Sequence, residues 1–172
     1  MPTYLAVIAL VIVSIAVVTD LRSRRIPNWL TFPSAAIGFL YHGITGGFQG
    51  LAFSVSGLVL GCALFMVFYL LAGMGAGDVK LMGAVGALLG PHGVILSALF
   101  TALAGGIYAI LLLTWYNRLG ETVNRYRAMA WSLVSTGKIV YVPPPAGKKL
   151  PALCYGLPIA IGTALAVAKG FA

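Results

Sequence analysis

The sequence predicts an all-α membrane protein, a polytopic bundle of six transmembrane helices with both termini non-cytoplasmic. Three observations carry this prediction. The 172 residues are 60% hydrophobic and 8% charged, with a mean hydropathy of +1.01, outside the range of ordinary soluble domains. The apolar runs are continuous and near helix length, where a transmembrane β-barrel would alternate in polarity over about ten residues. The basic residues gather in the gaps between runs, as the positive-inside rule requires. The length suits one integral membrane domain over residues 1–172.

Thr3 to Thr19 is the first run, at the short end of the roughly 17–25 residues that span a bilayer. "DLRSRRIPN" (residues 20–28) follows as a loop with one acid and three arginines. Trp29 to about His42 is the second run, followed by the loop "HGITGGFQG", without formal charge. Leu51 to about Ala72 is the third, and "GMGAGDVK" (residues 73–80) the second charged loop. Leu81 to Gly90 is apolar but short, ended by "GPHG"; Val94 to Tyr116 is long again. The polar segment 117–149 carries six basic residues and Glu121, and the last run is Leu150 to Ala168. Within 117–149, "YRAMAWSLVS" reads as an interfacial helix and "VPPPAGKK" as a stiff polyproline-like connector.

The loops at 20–28, 73–80 and 117–149 hold ten of the eleven basic residues, Lys169 being the exception, and are therefore assigned to the cytoplasm. The formal charge of +8 is thus a matter of topology and of attraction to lipid headgroups; no nucleic-acid partner is implied. Cys62 and Cys154 form no Cys-x-x-Cys pair, so zinc and redox motifs are absent. The first run lacks a preceding basic region, so it does not read as a cleavable signal.

The three acidic residues are Asp20, Asp78 and Glu121. Both aspartates fall at cytoplasmic ends of predicted helices, Asp20 after the first run and Asp78 before the fourth. From Asp78 to Gly90 there are thirteen residues, about 20 Å of helix against a hydrocarbon core of roughly 30 Å. Either the helix continues through Pro91, or it starts below the membrane surface and draws Asp78 inward. Gly73, Gly75 and Gly77 allow unusual dihedrals and close backbone passage there. An aspartate at membrane depth is a functional hypothesis once a partner is named, and Asp20 is the other aspartate available. The plain alternative is structural: Asp20 ends its helix beside an arginine of "RSRR", and Asp78 caps the next.

At these residues the chain resembles a known family. "GAGD" (Gly75–Asp78) matches the Gly-x-Gly-Asp motif of intramembrane aspartyl proteases, and "DLRSRRIPN" resembles the first-loop motif of type IV prepilin peptidases. The resemblance implies an aspartyl endopeptidase that removes the basic leader of pilin-like precursors at the cytoplasmic face. Asp20 and Asp78 would be its catalytic aspartates, with Gly75, Gly77, Pro27 and Asn28 shaping the site and no metal or cofactor. Large members of the family carry an N-terminal domain with paired cysteines and also methylate the new N-terminus. This chain lacks those features and resembles the short tight-adherence (Flp-type) peptidases, so cleavage without methylation is expected. "PAL" (Pro151–Leu153) resembles a motif of presenilin-type proteases, which share Gly-x-Gly-Asp.

Two carboxylates sharing one proton supply both a base for water and an acid for the amide, because neighbouring like charges cannot both ionise cheaply. His42 and His92 fall at the opposite face, which disfavours serine, cysteine or metal chemistry. Lys80 is expected to anchor its helix end at the interface and is counted with the substrate-binding or site-shaping residues. The expected partners are a prepilin-like substrate and membrane lipids in the inner membrane, with oligomeric state open. The rivals are a small ion-coupled transporter, which should show repeat symmetry and polar residues towards both faces, and a non-catalytic pilus assembly factor.

Overall fold

A computed structural model of the chain describes residues 3–70, 74–136 and 154–170. Among these residues the regular structure is entirely helical: α1 (Thr3–Ser23), α2 (Asn28–Leu70), α3 (Ala76–Trp115), α4 (Leu119–Thr136) and α5 (Gly156–Ala168). Tyr4–Ser23, Asn28–Leu70 and Ala76–Trp115 are long and apolar enough to cross a membrane. The chain divides into two compact units, Met1–Gly105 with Cys154–Ala172, and Gly106–Leu153.

In the larger unit, the segments expected as loops at "HGITGGFQG" and "GPHG" are instead continuous helix broken at one residue each. Gly47 (φ 57°, ψ −140°) interrupts α2, and Gly90 (φ 73°, ψ −177°) interrupts α3. Both have the left-handed φ that glycine adopts without penalty. At Gly47 the chain doubles back. A Cβ on Gly50 would overlap the carbonyl of His42, although a straight helix would separate residues eight apart by about 12 Å. A single glycine thus does the work of a loop.

The first half of α3 is the centre of this unit. Every residue from Leu81 to Gly90 is buried, and a helix apolar on all sides belongs in a core. This explains its shortness, since its sides meet protein. Small residues bring its neighbours close: a Cβ on Gly38 would lie 2.5 Å from the Ala87 carbonyl oxygen and one on Gly61 2.5 Å from that of Met82. Gly57 and Gly86 face each other so tightly that a Cβ on either would overlap the other's carbonyl oxygen. Such stripes let helices approach where lipid offers no hydrophobic drive. Leu5, Val13, Phe65 and Ile159 complete the core around it.

Pro91 has no N–H for the Ala87 carbonyl, four residues back. Ser54 Oγ donates to that oxygen instead, at 2.6 Å in a buried position. His42 Nε2 bonds the Leu88 carbonyl at 3.1 Å, and its ring packs edge-on against Tyr41 and Phe53. The freed backbone groups are thus satisfied by side chains, as they must be in an apolar setting.

In the smaller unit, α3 ends at Trp115 and Asn117 adopts φ 54°. Arg118 N–H donates to the Leu113 carbonyl (2.8 Å) and Asn117 N–H to that of Thr114 (3.0 Å), the paired bonds of a Schellman turn. The helix expected over "YRAMAWSLVS" is part of α4, which begins earlier, at Leu119. The "VPPPAGKK" connector and Pro151–Leu153 lie outside the described residues.

Gly86→Val should lower stability in detergent by about 1–3 kcal/mol, because the added atoms meet backbone that cannot yield. A Cβ added at Gly106 would meet nothing within 4 Å, so that position should accept alanine without loss. Denaturant or thermal unfolding of the two variants beside wild type checks this contrast.

Candidate active site

Helix α1 runs four residues past the end expected from its apolar run, to Ser23, so Asp20 lies inside its last turn. Arg24 closes that turn with φ 50°, its N–H donating to the Asp20 carbonyl at 2.8 Å. The chain then passes through Ile26 and Pro27 into α2. The Asp20 side chain is 8% exposed. Among the described residues it forms no ion pair with Arg22, Arg24 or Arg25. Its Oδ2 instead accepts the backbone N–H of Gly156 at 3.0 Å. Gly156 is the first residue of α5, so this carboxylate rests on the positive end of a helix.

Asp78 repeats the arrangement. It lies in the first turn of α3 and is 7% exposed. Its Oδ2 accepts the Gly75 N–H at 2.9 Å, while its own N–H donates to the Gly75 carbonyl at 3.1 Å. This is the backward half of a capping box, the third helical residue satisfying the N-cap amide. Asp78 therefore does cap its helix.

The two motif segments meet at this end of the unit. A Cβ on Gly77 would stand 3.1 Å from the Ile26 Cβ and 3.4 Å from its nitrogen, so the turn before α2 lies against the start of α3. Lys80 Nζ donates to Asn28 Oδ1 at 2.9 Å and sits 5.6 Å from the centre of the Phe32 ring. Asp20, Pro27, Asn28, Gly75, Gly77, Asp78 and Lys80 thus share one end of the bundle. Lys80 engages the α1–α2 turn, a contact beyond the interface anchoring expected of it.

Asp20 and Asp78 lie within electrostatic range of each other. Cys154, just before α5, senses both. Its thiol is held above its ordinary value, first by burial and then by the charges of Asp20 and Asp78, with Arg24 acting in the opposite sense. The thiol therefore lies within electrostatic range of both carboxylates.

Sequence reasoning missed Gly156. A Cβ there would come within 3.0 Å of Asp20 Oδ2 and 3.1 Å of its Cβ, so a bare residue is needed for the carboxylate to reach the helix end. Its one available signal was its place soon after "PAL".

Among the described residues the protein is all-helical, with three helices long and apolar enough to cross a membrane, and its candidate site holds two nearly buried aspartates. Residues 7–110, more than half of the chain, match the type IV leader peptidase family, and the chain belongs to it. It is 35% identical over 105 residues to a prepilin leader peptidase/N-methyltransferase of Aeromonas salmonicida (strain A449), covering 57% of this chain and 36% of that protein. A namesake from Neisseria gonorrhoeae is 29% identical over 129 residues, 71% of this chain and 42% of that one. The chain thus spans well under half the length of these curated relatives. No solved structure matches it significantly.

The Cys154 environment yields a direct check on the placement of the pair. In a Cys62→Ser background, Asp20→Asn and Asp78→Asn should each remove a charge that disfavours the thiolate. Alkylation of Cys154 at fixed mildly alkaline pH should then run faster in both variants than in their parent. Unchanged rates would place the thiol away from the carboxylates.

Proposed function

We propose that the chain is an aspartyl endopeptidase that cleaves the basic leader from type IV pilin-like precursors. The observation that supports this most is that two nearly buried aspartates lie at one end of the helical unit, within electrostatic range of each other. Membership of the leader peptidase family, and the names of the relatives it resembles, supply the substrate class.

In this reading each backbone N–H holds Oδ2 of its carboxylate and leaves the Oδ1 oxygens as the working atoms. One carboxylate takes a proton from water, whose oxygen bonds to the scissile carbonyl carbon. The other, protonated, hydrogen-bonds the carbonyl oxygen. As the C–N bond breaks, a carboxyl proton passes to the leaving nitrogen, and the pair returns to holding one proton. The proton belongs to the pair and to neither residue alone. Gly75, Gly77 and Gly156 permit the close approach, and the Lys80–Asn28 contact ties the turn after Asp20 to the helix of Asp78.

The topology that fits is six membrane segments: α1, the two halves of α2, the two halves of α3, and α5. At 43 and 40 residues, α2 and α3 would each be about 60 Å long if straight, twice the hydrocarbon core, and each is broken by a glycine. The arginines after Asp20 and Lys80 put the aspartate end in the cytoplasm and both termini across the inner membrane. The reaction is cleavage alone, without N-methylation; the two cysteines make no paired-cysteine motif.

The assay is leader release from a synthetic precursor, followed by mass, with protein in lipid. Asp20→Asn and Asp78→Asn, shown to fold as wild type does, should each lower the rate by about a hundredfold or more. The product N-terminus should stay unmethylated. Full cleavage by either variant would remove that aspartate from the chemistry.

A further inference from the structure

We propose that α4 is a membrane-surface helix that docks on anionic phospholipid, with Arg127 as its phosphate contact. The inference rests on the smaller unit alone and is independent of the peptidase reading.

The position of α4 follows from the end of α3. The last stretch of that helix carries no charged residue and ends in "LLLTW", with Tyr116 just beyond; Trp115 and Tyr116 are the residue types that settle at the headgroup level. The Schellman turn at Asn117 ends it abruptly. Helix α4 starts at Leu119, so the tether between bilayer boundary and helix is only Tyr116, Asn117 and Arg118. Helix α4 itself carries Glu121, Asn124, Arg125 and Arg127, too polar a set for a span.

Its pattern suits the plane of the headgroups. Leu119, Val123, Arg127, Trp131 and Val134 follow one another at steps of four, four, four and three residues, which places them in one stripe along the helix. Four of the five are apolar and all are exposed, Trp131 by 74% and Val134 by 82%. Glu121 and Ala128 stand about 120–160° round the helix from Val123 and Val134 and are exposed as well. Exposed aliphatic and indole groups facing water would be costly; buried to the depth of the acyl boundary they stabilise surface binding.

Arg127 decides the occupant. It stands one turn from Val123 and one turn from Trp131, within the stripe. An apolar protein groove would leave its guanidinium unpaired, whereas a headgroup layer offers phosphate oxygens at the depth reached by a snorkelling arginine. Arg118 is paired with Glu121 at 2.7 Å, and segment 118–136 keeps a formal net charge of +2 from its three arginines and one glutamate, which complements an anionic leaflet.

The test uses the full chain in a Cys62→Ser/Cys154→Ser background, with single spin-labelled cysteines at Val123, Ala128 or Val134. The protein is reconstituted in vesicles of phosphatidylcholine alone or mixed equally with phosphatidylglycerol. Collision with oxygen reports lipid, and collision with a water-soluble nickel chelate reports solvent. In anionic vesicles the labels at 123 and 134 should meet oxygen and evade the chelate, and that at 128 should do the reverse. Arg127→Gln should weaken docking about fivefold, the contribution of one basic residue near an anionic surface, and so flatten the contrast. Chelate access to 123 and 134 would overturn the proposal. Protection of those labels from both reagents would do so too, by showing a protein partner. An equal contrast in phosphatidylcholine alone would overturn the anionic preference.

Discussion

A carboxylate withdrawn from water is costly unless something replaces its hydration, and this bundle withdraws two at the same end. Each receives one backbone N–H from a glycine at the start of a helix, Gly156 for Asp20 and Gly75 for Asp78. These two bonds impose the local architecture. Helix α5 must begin beside the last turn of α1, and α3 must begin where its third residue can reach back to Gly75. The left-handed turn at Arg24 and the bare Cα of Gly77 bring the following segment down onto that junction.

The rest of the larger unit holds that junction in place. The first half of α3 is enclosed by helices that approach through Gly38, Gly57, Gly61 and Gly86, leaving little freedom to tilt. The break at Gly90 and Pro91 lies at the far end, where Ser54 and His42 supply the missing hydrogen bonds. Irregular backbone and its compensation are thus kept a helix length from the carboxylates, whose own end is built from short turns.

What the sequence made legible follows from scarcity. Two aspartates in so apolar a chain stand out, and the glycines before Asp78 announce close packing; the bundle places Asp20, Asp78, Gly75, Gly77, Pro27, Asn28 and Lys80 together. Gly156 was not legible, because its partner is 136 positions away and one glycine among 22 carries no local signal. The Lys80–Asn28 contact was hidden for the same reason, each residue reading as a local anchor or turn former. Gly47 and Gly90 were misread as parts of loops. Polar and glycine-rich composition marks where a chain turns, but not that one residue with positive φ suffices to turn it. Helix α1 outran its apolar pattern because Asp20 gains a partner across the bundle, which makes another helical turn tolerable in a polar stretch.

The central claim is that the side chains at positions 20 and 78 meet at one end of the unit. The chain has two cysteines, Cys62 and Cys154, and replacing both by serine leaves a background for placing new thiols. In that background Asp20→Cys with Asp78→Cys, reconstituted in lipid, tests the claim directly. The two thiols should be joined within one chain by mild oxidation or by a short bifunctional thiol reagent, as read by mass, and neither single variant should form the link. Two thiols that alkylate freely yet are never joined would contradict the account.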